Sequence, residues 1–242
     1  DEAKVGIESP PTQLEELIVT AIKREEPLRE IPGSVSAITG NQLEDMGARD
    51  QEDFLKFVPG VSLYKDEPNR SRVTIRGIAA DNGTSQAAGT LIDDVPFTDP
   101  FIADLSPDLS PFDLSTVEVL KGPQGTLFGA SGLAGAIRYV LEPAQLDAWQ
   151  ARGFVSYDRI AHGDGKPAYG LVANVPLVRD ELALRVAGTQ WMRPGAIDET
   201  GRGEADVDHS RQTSFRALAR WAPSDRLAGP CVPSPWRGAC TL

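Results

Sequence analysis

The sequence predicts an α+β domain followed by an incomplete antiparallel β-barrel segment of about four strands. Three observations carry that prediction. Short alternating strings interleave with two capped helical segments over residues 25–142. A period of two then runs through residues 147–222. Near the end of the first region, the alternating run from Val117 to Leu120 enters a loop punctuated by Gly122, Gly125 and Gly129 and closed by Gly132 and Gly135. Glycine at that density marks turns and close approach of backbone to backbone.

Residues 1–24 read as a flexible leader, rich in charge and proline, with one β-favouring string: Glu16, Leu17, Ile18, Val19, Thr20 and Ala21. The string is too short to form a core, but it can add as an extra strand to a partner's sheet edge. An edge strand of the following domain is the alternative reading.

Residues 34–39 alternate and lead into Thr39 and Gln42, spaced as a capping box in which each side chain satisfies an exposed helix amide. The helix should run to Met46 and stop at Gly47, where a left-handed conformation costs no side-chain clash. A second helix is expected from the N-cap Asp50 through Phe54, Leu55 and Val58, ended by Pro59 and Gly60. Strands are expected at 61–64, 72–76, 90–95, 116–121 and 136–141. The polar connections around 66–70 and 81–88 are longer than tight hairpins require, which makes them candidate ligand-facing tips. Asp93 and Asp94 read as turn and strand acids, since adjacent strand residues point to opposite faces and cannot converge on a metal or a reacting group without a bulge.

In the second region Trp149, Ala151, Gly153, Val155 and Tyr157 alternate with Gln150, Arg152, Phe154, Ser156 and Asp158. Tyr169, Leu171, Ala173, Val175 and Leu177 repeat the apolar face, Leu182, Leu184 and Val186 continue it opposite Arg185, and Phe215, Ala217, Ala219 and Trp221 form a fourth face opposite Ser214, Arg216 and Arg220. Each segment has about the length a tilted membrane strand needs, and terminal aromatics suit an interfacial girdle. The very short connection at 178–181 and the long, acidic one at 193–210 match the short periplasmic turns and longer outer loops of such barrels. A soluble antiparallel sheet would show the same alternation.

Several function classes drop out. A net charge of −11 over 242 residues, with no extended basic run, argues against nucleic acid. Cys231 and Cys240 are the only cysteines, and His162 and His209 are isolated, so neither a disulfide framework nor a metal site supports the body of the chain. No apolar run is long enough for a transmembrane helix, and residues 1–11 lack the layout of a signal peptide, which reads as a mature form. The glycines fit neither phosphate-loop spacing, and no nucleophile elbow occurs, so no catalysis and no cofactor are expected.

The segment Ile75-Arg76-Gly77, followed by the run from Val117 through Leu120, Lys121, Gly122 and Pro123, resembles the plug domain of TonB-dependent outer-membrane transporters. The order of features is the same: two capped helices, a Pro-Gly-Val segment, the Ile-Arg-Gly segment, then the Leu-Lys-Gly-Pro signature. The resemblance implies a plug at 25–142 and the first strands of a transmembrane barrel at 147–222. It implies that residues 16–21 are a TonB box, recruited by the periplasmic protein TonB with its inner-membrane energising complex. Arg76 then occupies the position of a plug arginine that pairs with barrel-wall carboxylates; a surface arginine on an edge strand is the alternative. Gly77, Lys121, Gly122, Pro123, Gly125, Gly129 and Gly135 are the expected packing and turn positions, with Ala134 standing where the family usually has the first of two glycines. The implied function is energy-coupled uptake of a scarce ligand, such as a ferric siderophore, across a Gram-negative outer membrane, with the N-terminus exposed to the periplasm. A soluble periplasmic module that binds TonB without transport is the rival. Barrels of this family close with about 22 strands, and the proline-rich stretch 228–242 breaks the pattern, which reads as a frame change or truncation.

Overall fold

The computed structural model describes residues 18–19, 26–27, 34–67, 70–80, 86–97, 109–125, 132–159, 165–195 and 209–222. Expectations for Gly129, for His162 and for the tail with Cys231 and Cys240 lie outside them. Of the string at 16–21, only Ile18 and Val19 are described.

The elements follow in chain order: β1 (Ile18–Val19), β2 (Glu26–Pro27), β3 (Ser34–Thr39), α1 (Gly40–Asp45), α2 (Gln51–Leu55), β4 (Val61–Glu67), β5 (Arg70–Ile75), β6 (Ala88–Ile92), β7 (Val95–Pro96), β8 (Leu114–Lys121), β9 (Gly135–Leu141), β10 (Gln150–Arg159), β11 (Gly165–Val178), β12 (Leu182–Arg193) and β13 (Ser210–Trp221). A five-stranded sheet in the order β3-β8-β9-β6-β7 organises the first part, with β6 parallel to β9 and the other neighbours antiparallel. Helices α1 and α2 and the hairpin β4–β5 pack on it through Leu43, Phe54, Leu55, Ile75, Val117, Ile137 and Tyr139, all buried. Phe54 meets Tyr139 edge-on at 6.4 Å.

Both helix starts form for the reasons visible in the sequence. Thr39 and Gln42 make the reciprocal capping box, and Gly47 takes φ +62 after the C-cap Met46. Asp50 caps α2, its Oδ1 accepting from the amides of Glu52 at 3.0 Å and Asp53 at 3.2 Å. That helix ends at Leu55 rather than Val58, because the chain tightens into a turn in which the Phe57 and Val58 amides bond three residues back. Strand β4 reaches Glu67, which pairs with Arg70 at the start of β5, so the strands extend into the region 66–70 where a longer connection was expected. Residues 90–95 are not one strand: Asp93, at φ +52, turns the chain between β6 and β7.

The second part is a four-stranded antiparallel sheet, β10-β11-β12-β13, that does not close on itself among the described residues. Its strands run 10, 14, 12 and 12 residues, enough to cross a bilayer tilted. The sheet is inside out by soluble standards. Val155 is 85% exposed, Phe215 76% and Leu171 63%, whereas Asn174, Arg185 and Thr189 are buried. Apolar side chains therefore cover the outer face, while the inner face mixes Asn174, Arg185 and Thr189 with Ala168, Val172, Ala183, Ala187 and Trp191; an exposed apolar face is the arrangement of a barrel wall in lipid. The turn between β11 and β12 is as short as expected, with Asp180 at φ +63 and the Glu181 amide bonded to the Val178 carbonyl.

Candidate functional site

The two parts meet across the inner face of the four-stranded sheet through ion pairs, the edge-on Phe112–Phe154 pair at 5.2 Å and the hydrogen bond from Thr189 to Ser110 at 3.3 Å. Asp113 sits at φ +61 immediately before β8, 1% exposed. Arg185, on the inner face of β12 and 3% exposed, grips it with a fork: Nε donates to Oδ2 at 3.0 Å and Nη2 to Oδ1 at 2.5 Å. From β10, Arg152 Nη2 donates to the same Oδ1 at 3.0 Å, while Nη1 reaches Glu44 Oε1 at 2.9 Å. From β13, Arg216 Nη2 donates to the backbone carbonyls of Phe112 and Asp113 at 3.0 and 2.6 Å and approaches Oδ2 at 3.4 Å.

A second ionic contact lies at α2. Asp50 uses Oδ1 for its helix cap and Oδ2 for cations, accepting from Lys65 Nζ at 3.1 Å and from Arg193 at the end of β12. Next to it Arg49 forks onto Asp158 of β10, its Nη2 reaching Oδ1 at 2.6 Å. The Arg49 guanidinium also lies 5.1 Å over the Trp191 ring, and Trp191 stacks on Phe154 at 4.7 Å. These residues border a cleft of about 390 Å³ between α1 and the sheet, lined also by Leu43, Gly47 and Phe112.

The link between the sheets is pinned separately. Asn174, fully buried in β11, accepts from the Gln145 amide at 2.9 Å and donates to the carbonyls of Gln145 and Ala148 at 2.9 and 2.7 Å.

Burial by itself would raise the carboxyl of Asp113, but hydrogen bonds from Arg185 and Arg152 and the charges of Arg185 and Arg216 outweigh it and hold the group below its ordinary value of 3.8. Asp50 behaves alike: burial opposes ionisation, and Arg193 and Lys65 overcome it. A carboxyl depressed in the folded state contributes stability that is complete above its unfolded value and is lost as pH falls through its folded value. Amide protection over β8, corrected for the intrinsic exchange rate at each pH, is therefore expected to stay constant from neutral pH down to about pH 4.5 and to fall only below 3.8. A fall already at pH 6 would contradict these pairings.

The positions singled out from the sequence lie elsewhere. Arg76 is not in a strand: β5 ends at Ile75, and Arg76 and Gly77 form an exposed turn at φ +53 and +78, with the Arg76 amide bonded to the Gly60 carbonyl. No described carboxylate pairs with the Arg76 side chain. Lys121 ends β8, and its ammonium is pushed down by burial and by the charge of Arg76. Gly122, at φ +124, precedes Pro123 and bonds to the Ala134 carbonyl. Gly135, at φ +153, leaves no room for a side chain against the Leu120 carbonyl. Around Gly125, by contrast, a Cβ would meet nothing within 4 Å, so no close packing requires glycine there. Among the described residues, none of these positions hydrogen-bonds or ion-pairs with the four-stranded sheet; Asp113, Asp50, Arg49 and Glu44 do. The signal that could have found them was Arg185, an arginine on the inner face of an alternating strand, which must meet an acid when buried.

An α+β domain docked by charge against the inner face of a sheet whose outer face is apolar is the arrangement of a plugged outer-membrane barrel protein. Residues 27–136 match the family described as the TonB-dependent Receptor Plug Domain. Residues 27–136 are thus a plug domain of the TonB-dependent receptors, and the four-stranded sheet after it has the pattern of the first strands of a barrel wall. It is 31% identical over 170 residues to a hemin receptor of Yersinia pestis, covering 69% of this chain and 24% of that protein. It is 27% identical over 205 residues to an iron-regulated outer membrane virulence protein of Vibrio cholerae, covering 80% of this chain and 30% of that one. The crystal structure of the ferric yersiniabactin uptake receptor FyuA from Yersinia pestis shares the fold at a TM-score of 0.65 and 21% identity, over 80% of this chain and 29% of FyuA. The chain thus spans less than a third of the length of these relatives. The relatives are receptors and transporters, not enzymes.

Proposed function

We propose that this chain is the plug (25–142) and the first wall strands (147–222) of a TonB-dependent receptor that takes up a scarce ligand such as a ferric siderophore across a Gram-negative outer membrane, its N-terminus in the periplasm. The observation that supports this best is the inverted sheet: an exposed face bearing Val155, Leu171 and Phe215 suits lipid, while its inner face holds the plug through Asp113. A soluble periplasmic module binding TonB would have no use for that outer face.

Glu16, Leu17, Ile18, Val19, Thr20 and Ala21 are the proposed TonB box. Ile18 and Val19 are extended and pair antiparallel with Pro27 and Glu26, the conformation that strand addition uses. External ligand would reach the plug, make the box available, and let TonB and its energising complex pull the plug. Val19→Pro removes a ladder donor and restricts Ile18, so pull-down with the TonB C-terminal domain is expected to lose the chain. Undiminished capture of the variant would remove the box assignment.

A further inference from the structure

Plug and wall touch in two places that differ in what parting would cost. In the first, a latch, Glu44 meets Arg152, Arg49 meets Asp158 and Asp50 meets Arg193. Apart from Asp50, these side chains are 25–44% exposed, and water takes up the charges of such pairs at little cost when they separate. Asp50 is buried, but it keeps Lys65 and the amides of Glu52 and Asp53 when Arg193 leaves, since all three belong to the plug. The cleft of about 390 Å³ lies between α1 and the wall here, so little packing is lost.

Asp113 is the opposite case. Its carboxylate is 1% exposed, and the cations on it, Arg185, Arg152 and Arg216, all stand on the wall. Parting there removes its ion pairs together and takes from Arg185 its hydrogen-bonded counter-ion. Leu114 pairs with Leu141, so the start of β8 and the end of β9 lie side by side at this point. The chain that follows β9 is fastened to the wall as well: Asn174 holds Gln145 and Ala148, the Asp180 amide donates to the Leu146 carbonyl, and Arg220 donates to the Ala144 carbonyl. Helix α1 also begins at this root, where Gly40 lies against the Leu114 carbonyl with no room for a Cβ. The plug residues of the latch come after it, along α1 and at the start of α2.

We infer that the plug is hinged on the wall: it tilts about the Leu114–Leu141 end of the β8–β9 pair, releasing Glu44, Arg49 and Asp50 first while Asp113 and residues 144–148 stay attached. The cleft bordered by Phe154 and Trp191 is then the place where plug and wall first separate. Contacts of unequal strength open in order of cost, the weakest first. The hinge follows from these contacts whatever the cargo, and whether or not TonB pulls on residues 16–21.

Distances between spin-label pairs, measured by pulsed electron paramagnetic resonance on the full chain in non-ionic micelles, test it, with Cys231→Ser and Cys240→Ser as background. Asp45→Cys with Arg159→Cys spans the latch, and Asn41→Cys with Ala151→Cys spans the root; all four positions are exposed. Asp158→Asn combined with Arg193→Gln, which frees the latch from the wall side, is expected to give the latch pair a second distance, longer by roughly one helical turn, about 5 Å. The root pair should keep its distance. Arg49→Gln should act in the same direction from the plug side. Lengthening or loss of the root distance along with the latch distance would mean that the plug leaves the wall as one body. No change in either pair, with both sets of variants, would mean that the latch does not hold the plug. Either result overturns the hinge, and neither bears on TonB capture through Val19.

Discussion

Asp113→Asn is expected to cost about 3–5 kcal/mol, the usual loss when one member of a buried ion pair is removed. Asparagine tolerates a positive φ, so the backbone at +61 is undisturbed and the change isolates the charge. Arg185, with its side chain 4% exposed, would lose its hydrogen-bonded counter-ion in the space between plug and wall. Denaturant unfolding in micelles, followed by tryptophan fluorescence, measures the effect. A matched control is Lys56→Gln, which removes the exposed member of the Lys56–Asp53 pair at 3.9 Å and should cost less than about 1 kcal/mol. Equal losses for the two would mean that the wall does not bury Asp113.

Gly135→Val should be the most damaging change within the plug sheet. Its φ of +153 excludes an L side chain, and a Cβ would overlap the Leu120 carbonyl and press on Ile75 Cδ1 at 2.9 Å. Both neighbours belong to the buried sheet and hairpin and cannot yield, so a loss of about 3 kcal/mol or more is expected. Gly125→Val, in the same loop signature, meets open space and should stay within about 0.5 kcal/mol. Thermal melts of the two variants side by side check the contrast, and a Gly125 variant as destabilised as the Gly135 one would contradict it.

The contrast shows what a glycine-rich motif carries as sequence. The motif marks that backbone approaches backbone somewhere, but only the pairing of β8 with β9 decides which glycine is enclosed. Local features were legible because their causes are local: Thr39 and Gln42 cap a helix three residues apart, Asp50 caps the next, and the alternation from Trp149 to Trp221 sorts each wall residue to one face. The ionic site was not legible in the same way. Asp113 and Arg185 are 72 residues apart, and nothing near Asp113 announces a partner. The expectation that a plug arginine meets a wall carboxylate fell on Arg76; among the described contacts Arg49 makes that pairing, with Asp158, while around Asp113 and Asp50 plug acids meet wall arginines. The inward face of β12 held that information already, since Arg185 alternates with Leu184 and Val186.

The double-mutant cycle of Asp113→Asn with Arg185→Gln, measured by unfolding of the chain in micelles, tests most directly whether plug and wall are held together by charge. The double variant is expected to be more stable than the sum of the single losses implies, by a coupling of about 2–3 kcal/mol, as for residues in direct buried contact. Additivity within about 0.5 kcal/mol would show that the two residues act independently, and would contradict a plug docked on the wall through Asp113.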